Sequence, residues 1–350
     1  MMTLQQKVQR LDKQQMLSSL DAFPDQIAQA WDESSRIAVP ASYRAVKKIV
    51  VAGMGGSAFP ARIAADFLRP SSKATFEVIE QYDIPAYVGP DTLVIASSYS
   101  GGTEESVSAL RQARQRGAKL MVISSGGTLA KLATQWKIPA YIFDARYNPS
   151  QQPRMGTGYM LFGIMGLLAA AGQLRVSTPE LHRAIEKARR AGKQWSVQAP
   201  QQRNTTLQLA KKLCTRIPLI VGSEHLENVA LAYRNRFHEN SKHFALHFPI
   251  PGLNHHLMEG LAHPKVALHV LMLRSKFLHA RNEKRYGISK KVFQRQHFSV
   301  DDVKVSAQSR LEEIVLHLTF SGYLSFWLAM EHDIDPSPIP WVDYFKAQLK

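Results

Sequence analysis

Cysteine is almost missing from this chain, which has 350 residues and a single cysteine, Cys214. One thiol excludes an internal disulfide framework and a zinc site built from several cysteines. A chain of this length can bury a large core without such cross-links. The N-terminal residues, MMTLQQKVQRLDKQQ, also lack the apolar core of a signal peptide. We therefore expect a cytoplasmic protein.

Long hydrophobic runs are missing as well. The longest apolar-rich stretch covers residues 156–172, and glycines interrupt it. It falls short of the ~20 apolar residues that a helix needs to cross a bilayer. We expect this stretch to form a buried core helix, and we expect no membrane partner.

Acidic residues are in the minority, because 28 Asp and Glu stand against 44 Lys and Arg, a net charge of +16. A basic surface attracts anions in general, including phosphorylated metabolites, nucleic acids and anionic membranes. The basic residues are spread along the chain and form no separate tail, which argues against nucleic acid. A solvated basic surface without any specific partner would explain the charge equally well.

Short apolar runs alternate with helical stretches through most of the chain. Continuous runs of this kind are typical of parallel strands that are buried on both faces of a sheet. They occupy residues 49–52, 76–79, 93–96, 120–123, 141–143, 217–222 and 266–272. The sequence therefore predicts an α/β protein with two doubly wound parallel-sheet domains, flanked by an N-terminal helix and a C-terminal helix. The expected bounds are a helical segment over 1–40, a first domain over 41–198 and a second domain over 199–350.

The first predicted strand ends in a glycine loop, GMGGSA, at residues 53–58. Its spacing matches G-x-G-x-x-A, a variant of the dinucleotide-binding fingerprint. Glu77 and Glu80 lie about 20 residues further on, where such a site has an acid for the ribose. A nicotinamide enzyme is therefore one open interpretation of this loop.

The third predicted strand ends in a loop rich in hydroxyls, SSYSGGTEES, at residues 97–106. Ser98, Ser100 and Thr103 precede a predicted helix, whose N-terminus offers backbone N–H groups and about half a positive charge. Hydroxyl groups both donate and accept, so this set suits a phosphomonoester dianion. Ordinary helix capping by Ser or Thr is the alternative. Three hydroxyls beside a glycine turn with its own Ser57 favour phosphate.

Further motifs lie beyond these loops: PR at residues 153–154, RFHENSK at 236–242, GLNH at 252–255 and DYFK at 343–346. Together with the two loops they resemble the bifunctional phosphoglucose/phosphomannose isomerase family, which is built from sugar isomerase (SIS) domains. The resemblance covers residues 45–350 in the same order. It implies two SIS domains, each with a five-stranded parallel sheet, and a homodimer.

The resemblance also implies a role for each matching residue. The substrate phosphate would be held by Gly56, Ser57, Ser98, Ser100 and Thr103. Arg154 would lie over the sugar carbons, and Glu239 would be the catalytic base. His255, contributed by the neighbouring subunit, would open the sugar ring, and Lys346 would act near the ring oxygen as a further acid or base. The implied substrates are hexose 6-phosphates, with glucose 6-phosphate or mannose 6-phosphate converted to fructose 6-phosphate.

These residue types suit that chemistry. A base moves a proton between C2 and C1 through a cis-enediolate, and a carboxylate such as Glu239 can do so. The planar guanidinium of Arg154, which is always charged, can stabilise the developing oxyanion. A histidine such as His255 titrates near neutral pH. No step requires a cofactor or a metal ion.

The chain departs from the family pattern at three places. Gly102 stands where the family usually has Asn, and His256-Leu257 follow the GLNH motif where Asn-Glu is frequent. Ile339 stands where bifunctional members have a Thr associated with rotation of the mannose epimer. We therefore expect glucose 6-phosphate to turn over well above mannose 6-phosphate, with another sugar phosphate as the alternative.

Other interpretations stay open on the sequence alone. A non-catalytic sugar-phosphate sensor could use the same fold, and the glycine loop keeps the nicotinamide enzyme open. An isolated Glu such as Glu239 would ordinarily form a surface ion pair with the basic residues around it. A histidine cluster without an H-E-x-x-H motif could hold a metal ion: His255, His256, Glu259 and His263.

Overall fold

Two compact units make up the computed structural model, which describes residues 3–349. The N-terminal unit contains residues 22–187 together with 310–312, and the C-terminal unit contains the rest of the described chain. Each unit is built on one parallel β-sheet with helices around it. The predicted fold class is therefore confirmed, whereas the predicted domain bounds stay a prediction.

The described residues form helices in this order along the chain: α1 Leu4–Leu11, α2 Met16–Asp21, α3 Phe23–Ser34, α4 Phe59–Leu68, α5 Glu104–Gln115, α6 Gly127–Trp136, α7 Thr157–Ala170, α8 Thr178–Trp195, α9 Thr205–Leu213, α10 Glu227–Ser241, α11 Leu257–Gly260, α12 Ala280–Arg295, α13 Arg310–Glu331 and α14 Pro340–Gln348.

The predicted N-terminal helical segment consists of three separate helices, α1 to α3, and its first two residues lie outside the described part of the chain. Thr3 and Gln6 form a capping box at the start of α1. The Asp12 carboxylate accepts hydrogen bonds from the backbone N–H groups of Met16 and Leu17 at 2.7 and 2.9 Å. These bonds satisfy the first donors of α2, so a new helix begins there.

The sheet of the N-terminal unit has five parallel strands in the order β2-β1-β3-β4-β5. Its central strands are almost entirely buried, with Val50, Val94 and Val122 at the middle of the core. The five apolar runs predicted in this half of the chain all overlap these strands: β1 Lys48–Ala52, β2 Thr75–Ile79, β3 Thr92–Ser97, β4 Lys119–Ser124 and β5 Ala140–Ile142.

Helix α7 is the glycine-interrupted stretch that the sequence predicts as a core helix, and it is buried from Thr157 to Leu168. Gly158 and Gly166 pack against α3. A Cβ atom on Gly166 would lie 1.9 Å from the Ser34 Oγ, which is far inside the contact distance. Only glycine therefore lets the two helices approach this closely.

The sheet of the C-terminal unit has four parallel strands in the order β7-β6-β8-β9. They are β6 Ile217–Gly222, β7 Leu246–Pro249, β8 Leu268–Leu273 and β9 Ser299–Val303. The expectation of five strands in each SIS domain is therefore wrong for this unit, as far as the described residues go. After β9 the chain enters the long helix α13, and the described residues up to 349 form no further strand.

Helix α13 has 22 residues and is long and apolar enough to cross a membrane. Its most apolar 18-residue window is completely buried inside the protein. A core helix passes the same test of length and composition, so α13 is weak evidence for a membrane span.

Candidate active site

The two predicted phosphate loops lie at the carboxyl edge of the N-terminal sheet. The chain runs from β1 to β2 on one side and then crosses to β3 on the other side. This reversal makes the ends of β1 and β3 a topological switch point, where open α/β sheets bind ligands. The glycine loop 53–58 follows β1, and the hydroxyl loop 98–103 follows β3.

Hydrogen bonds join the two loops to each other. The backbone N–H of Tyr99 donates to the Ser57 Oγ at 3.0 Å. In the opposite direction, the Ser97 Oγ donates to the backbone oxygen of Ser57, also at 3.0 Å. The structure therefore fixes Ser57 and the hydroxyl loop as one assembly, as the phosphate hypothesis requires.

Within the hydroxyl loop, Ser98 and Thr103 are partners. Their hydroxyl oxygens lie 2.7 Å apart, and the backbone N–H of Gly101 donates to the Ser98 Oγ at 3.0 Å. Thr103 occupies the N-cap position of α5, but its side chain makes no capping hydrogen bond. Ordinary capping therefore does not explain Thr103, and the N-terminus of α5 can receive an anion. Ser98 is buried, Thr103 is half-buried and Ser100 is exposed.

Gly101 gives the hydroxyl loop its shape. Its φ of +73° lies in the left-handed region, which side chains rarely adopt. A Cβ atom there would also lie 1.8 Å from the backbone oxygen of Gly126, in the loop that follows β4. The glycine thus brings a third loop against the switch point.

Arg154 lies beside the glycine loop. It belongs to a short 3-10 turn, Pro153–Met155, and is buried. A Cβ atom on Gly56 would lie 3.8 Å from the Arg154 Cα, so the two backbones are in contact distance. The Arg154 Nη1 donates to the Gln152 Oε1 at 2.7 Å. The structure therefore brings together all six residues predicted to hold the phosphate or lie over the sugar carbons.

Tyr99 is a positioning residue that the sequence analysis missed. Beyond its bond to Ser57, its hydroxyl accepts from the Asn148 Nδ2 at 2.7 Å. Its ring fills the space at Gly156, where a Cβ atom would lie 2.2 Å from the Tyr99 Cε2. Tyr99 thereby connects both phosphate loops to the turn that carries Arg154. In the sequence, only the position of Tyr99 between Ser98 and Ser100 indicated that it lies near the predicted phosphate site.

Glu239, the predicted base, lies in the C-terminal unit near the end of α10 and is half-buried. Its neighbours hold α10 against α13. The buried Arg236 donates to the backbone oxygen of Leu318 and to the Ser321 Oγ, and burial lowers its pKa to about 10. The Asn240 Nδ2 donates to the Ser325 Oγ at 3.0 Å. The motif around Glu239 therefore fixes the helix that carries the carboxylate.

His255 lies in the C-terminal unit, in the 3-10 turn Gly252–His255 that follows β7. Leu253 is buried, and the Asn254 Nδ2 donates to the Ser289 Oγ at 2.7 Å. These two contacts hold the turn and leave His255 exposed.

Lys346 lies on α14, and residues 341–349 are all exposed. Glu239, His255 and Lys346 therefore lie on three separate elements of the C-terminal unit, whereas the phosphate loops and Arg154 lie in the N-terminal unit.

The C-terminal sheet has a switch point of its own, between β6 and β8, but its residues differ. Glu224 follows β6, with a φ of +53°. Its Oε1 accepts hydrogen bonds from the backbone N–H of His279 and from the Asn282 Nδ2, both at 2.8 Å. A carboxylate thus occupies the N-terminal end of α12, where the corresponding part of the N-terminal unit offers hydroxyls. The Glu224 carboxylate would repel an anion at this switch point. Of the two switch points, the one in the N-terminal sheet is therefore better suited to a phosphate.

The dinucleotide interpretation finds little support at β2. Glu80 forms an ion pair with Arg62 of α4 at 2.5 Å, and Glu77 accepts a hydrogen bond from the Tyr87 hydroxyl. Both carboxylates therefore already have partners in the protein. For the metal interpretation, no group of three His, Cys, Asp or Glu side chains within residues 3–349 is arranged to hold an ion.

Comparisons with known proteins agree with this geometry. Residues 42–142 match the SIS domain family, and residues 202–349 match the family described as bacterial phospho-glucose isomerase C-terminal SIS domain. A bifunctional phosphoglucose/phosphomannose isomerase from Caldicellulosiruptor bescii is 31% identical over 95% of this chain and 98% of its own length. The chain belongs to the bifunctional phosphoglucose/phosphomannose isomerase family. A relative of the same name from Aquifex aeolicus is 27% identical over 91% of this chain and 94% of its own length.

Solved structures show the same fold at lower identity. The C-terminal domain of glucosamine-fructose-6-phosphate aminotransferase from Francisella tularensis has a TM-score of 0.73 at 14% identity and covers 93% of this chain and 98% of that one. Tagatose-6-phosphate ketose/aldose isomerase from Escherichia coli has a TM-score of 0.69 at 15% identity, with 93% of each chain covered. These likenesses show the fold alone.

The structure places two of the departures from the pattern of the phosphoglucose/phosphomannose isomerase family. Ile339 is half-buried and occupies the N-cap position of α14. The nearby Ser337 is completely buried, so its hydroxyl cannot reach a substrate without movement of the segment. A Cβ atom on Gly102 would meet nothing within 4 Å, so no backbone crowding requires glycine at this position.

Proposed function

We propose that this protein interconverts glucose 6-phosphate and fructose 6-phosphate, and that it converts mannose 6-phosphate more slowly. The observation that carries the proposal is the hydroxyl-lined switch point with Arg154 against its glycine loop. The names of the relatives from C. bescii and A. aeolicus support this choice among sugar-phosphate reactions.

The phosphate of the substrate binds at the two loops. The hydroxyls of Ser57, Ser98, Ser100 and Thr103 supply donors, and the N-terminus of α5 adds its backbone N–H groups and partial positive charge. Each hydrogen bond to a charged group contributes roughly 1.5–3 kcal/mol. With its phosphate end held at the loops, the substrate extends its sugar carbons toward Arg154.

Glu239 is the base that moves the proton. Its carboxylate takes the proton from C2 of the open-chain aldose, and the electron pair of the C2–H bond shifts so that the C1 oxygen carries the negative charge of a cis-enediolate. The C2 hydroxyl then passes its proton to the C1 oxygen, and return of the first proton from Glu239 to C1 gives the ketose. The guanidinium of Arg154 stabilises the negative charge on the enediolate oxygens. Electrons and protons balance without any cofactor.

His255 and Lys346 handle ring opening. One acid must protonate the ring oxygen while a base removes the proton of the anomeric hydroxyl, and both groups must lie at the same end of the sugar. An imidazole can act as an acid or a base in such a step, and His255 is exposed. Lys346 would complete the pair near the ring oxygen.

A homodimer in which His255 crosses to the neighbouring subunit completes the proposal. Helix α14 supports it, because large apolar side chains are exposed on it: Trp341 at 82%, Tyr344 at 61%, Phe345 at 61% and Leu349 at 61%. Monomeric proteins rarely expose such a patch. A second copy of the chain would cover it next to Lys346, which lies on the same helix.

The test is the Glu239→Gln variant in a coupled assay that follows glucose 6-phosphate formed from fructose 6-phosphate. The amide keeps the shape but cannot take the proton, so we expect turnover to fall at least ~10²-fold. Protection against heat by fructose 6-phosphate should persist. Glu180→Gln, on the first turn of α8, is the matched control. A Glu239→Gln enzyme that keeps more than about half of the wild-type rate removes Glu239 from the mechanism.

A further inference from the structure

Helix α14 carries Lys346, yet no residue of the helix from 341 to 349 is buried. Apolar packing within the chain therefore does not fix this helix in place. The segment before it, residues 332–339, is better held, because Pro336 and Ser337 are buried. We call this segment the C-terminal strap.

Lys242 holds the strap with its ammonium group. The residue ends α10 in a left-handed conformation, with φ of +50°. Its Nζ donates to the backbone oxygens of Asp335 at 3.2 Å and Pro336 at 2.8 Å, and to the backbone oxygen of Asn240 at 3.3 Å. An ammonium group has three donors, so three carbonyl oxygens satisfy it completely.

His243 makes a second contact with the strap. Its Nε2 lies 2.7 Å from the backbone oxygen of Arg216, which can only accept, so the Nε2 carries the proton. The Nδ1 of the neutral ring then accepts from the His332 Nε2 at 2.8 Å. Burial lowers the pKa of both histidines, which favours this neutral pair at pH 7.

We propose that Lys242 and His243 are positioning residues that fix α14, and with it Lys346, relative to the carboxylate of Glu239. The two residues follow Glu239 by three and four positions on the same helix end. Arg236 and Asn240 hold that helix end to α13. The end of α10 therefore carries both the predicted base, Glu239, and the residues that contact the strap. The strap leads directly to α14, which carries Lys346. The inference rests on the proposed function, because it assumes that Glu239 and Lys346 act on one sugar.

The test compares Lys242→Met with Lys211→Met, an exposed lysine on α9 of the same unit. Methionine keeps the length of the side chain and loses its donors, and Lys242 is itself exposed, so the core is unaffected. Hydrogen exchange followed by mass spectrometry should show exchange in residues 333–349 faster by about tenfold in Lys242→Met only. We expect kcat for fructose 6-phosphate to fall about tenfold or more, because small misplacements are costly, with KM within about twofold.

Two outcomes overturn the inference. Exchange in residues 333–349 that equals the Lys211→Met control shows that Lys242 does not hold the strap. Faster exchange with an unchanged kcat shows that the strap does not position a group needed for turnover. A wild-type protein without isomerase activity would contradict the proposed function. Failure of the strap contact is seen separately, as hydrogen exchange in residues 333–349 of Lys242→Met that equals the exchange in the control.

Discussion

Ser98 and Thr103 are the two hydroxyl partners at the centre of the proposed phosphate site. Each hydroxyl has one proton to donate, and one of these protons lies between the two oxygens, 2.7 Å apart. A phosphate dianion offers more acceptors than either hydroxyl, so both protons would turn to it. A phosphate bound as proposed would therefore replace the mutual hydrogen bond of the pair with two charge-assisted hydrogen bonds.

The double variant Ser98→Ala/Thr103→Ala tests this exchange. Loss of two such bonds, each worth roughly 1.5–3 kcal/mol, should raise KM for fructose 6-phosphate by about 10²-fold or more. Steady-state kinetics measures the change, with Thr134→Ala on the exposed face of α6 as the control. Unchanged KM, or protection of the wild type by NAD in place of phosphate, would favour the dinucleotide interpretation of the glycine loop.

Ile339 sets our expectation for the epimers. Conversion of mannose 6-phosphate requires the enediolate to rotate about C2–C3, and Ile339 has no hydroxyl to steady it. Because Ser337 is fully buried, it cannot replace that hydroxyl without movement. We expect Ile339→Thr to raise the rate on mannose 6-phosphate relative to glucose 6-phosphate, measured in parallel assays. Equal rates on both epimers in the unmodified protein would show that the hydroxyl is dispensable.

Among the elements of the N-terminal unit, the loops after β3 and β4 depend on Gly101. Gly101→Ala would force a Cβ atom onto the backbone oxygen of Gly126 in a left-handed conformation. We expect a loss of at least about 1–3 kcal/mol of stability, and loss of protection by phosphate. Gly102→Ala is the control, since its Cβ atom would meet nothing. Thermal unfolding with and without phosphate measures both effects. Equal melting temperatures of the Gly101→Ala and Gly102→Ala variants would contradict the role of Gly101.

The buried strands could be predicted from the sequence, and the edge strands of the C-terminal sheet could not. The runs at 49–52, 93–96, 120–123 and 217–222 are continuous and apolar because both faces of these strands are covered. In contrast, β7 and β9 are short edge strands, and β9 carries Asp301 and Asp302. Such a strand lacks the apolar pattern on which the prediction depends. The break between α1 and α2 arises from capping by Asp12, whereas α3 begins without a side-chain cap and has Pro24 in its first turn.

The closeness of the residues in the proposed phosphate site could be predicted for a different reason. Its residues follow strands whose carboxyl ends meet at one edge, so order along the chain gave their neighbourhood. Tyr99 and Gly101 act through contacts with Asn148 and Gly126, which are distant in sequence. Glu239, His255 and Lys346 lie on three separate elements, and their proposed grouping depends on tertiary structure and assembly, so the sequence motifs could not predict their geometry.

At the scale of the whole molecule, the exposed apolar face of α14 predicts a dimer. We expect light scattering after size exclusion to give twice the chain mass, and Trp341→Lys to give a monomer with reduced turnover. Ile288→Lys on α12, which is 50% exposed, is the control. A wild-type monomer with full activity would contradict the assembly and the transfer of His255 between subunits. The cytoplasmic location stays a prediction, since no observation above tests it.

The proposed function requires that the phosphate loops and Glu239 act on one sugar phosphate. A crystal structure with 5-phospho-arabinonate, a stable carboxylate analogue of the cis-enediolate, tests it most directly. We predict the phosphate within hydrogen-bond distance of Ser57, Ser98 and Thr103, and the Glu239 carboxylate within ~3.5 Å of the carbon that mimics C1 or C2. An analogue bound away from the loops, or bound there with Glu239 beyond about 6 Å of that carbon, would contradict the claim.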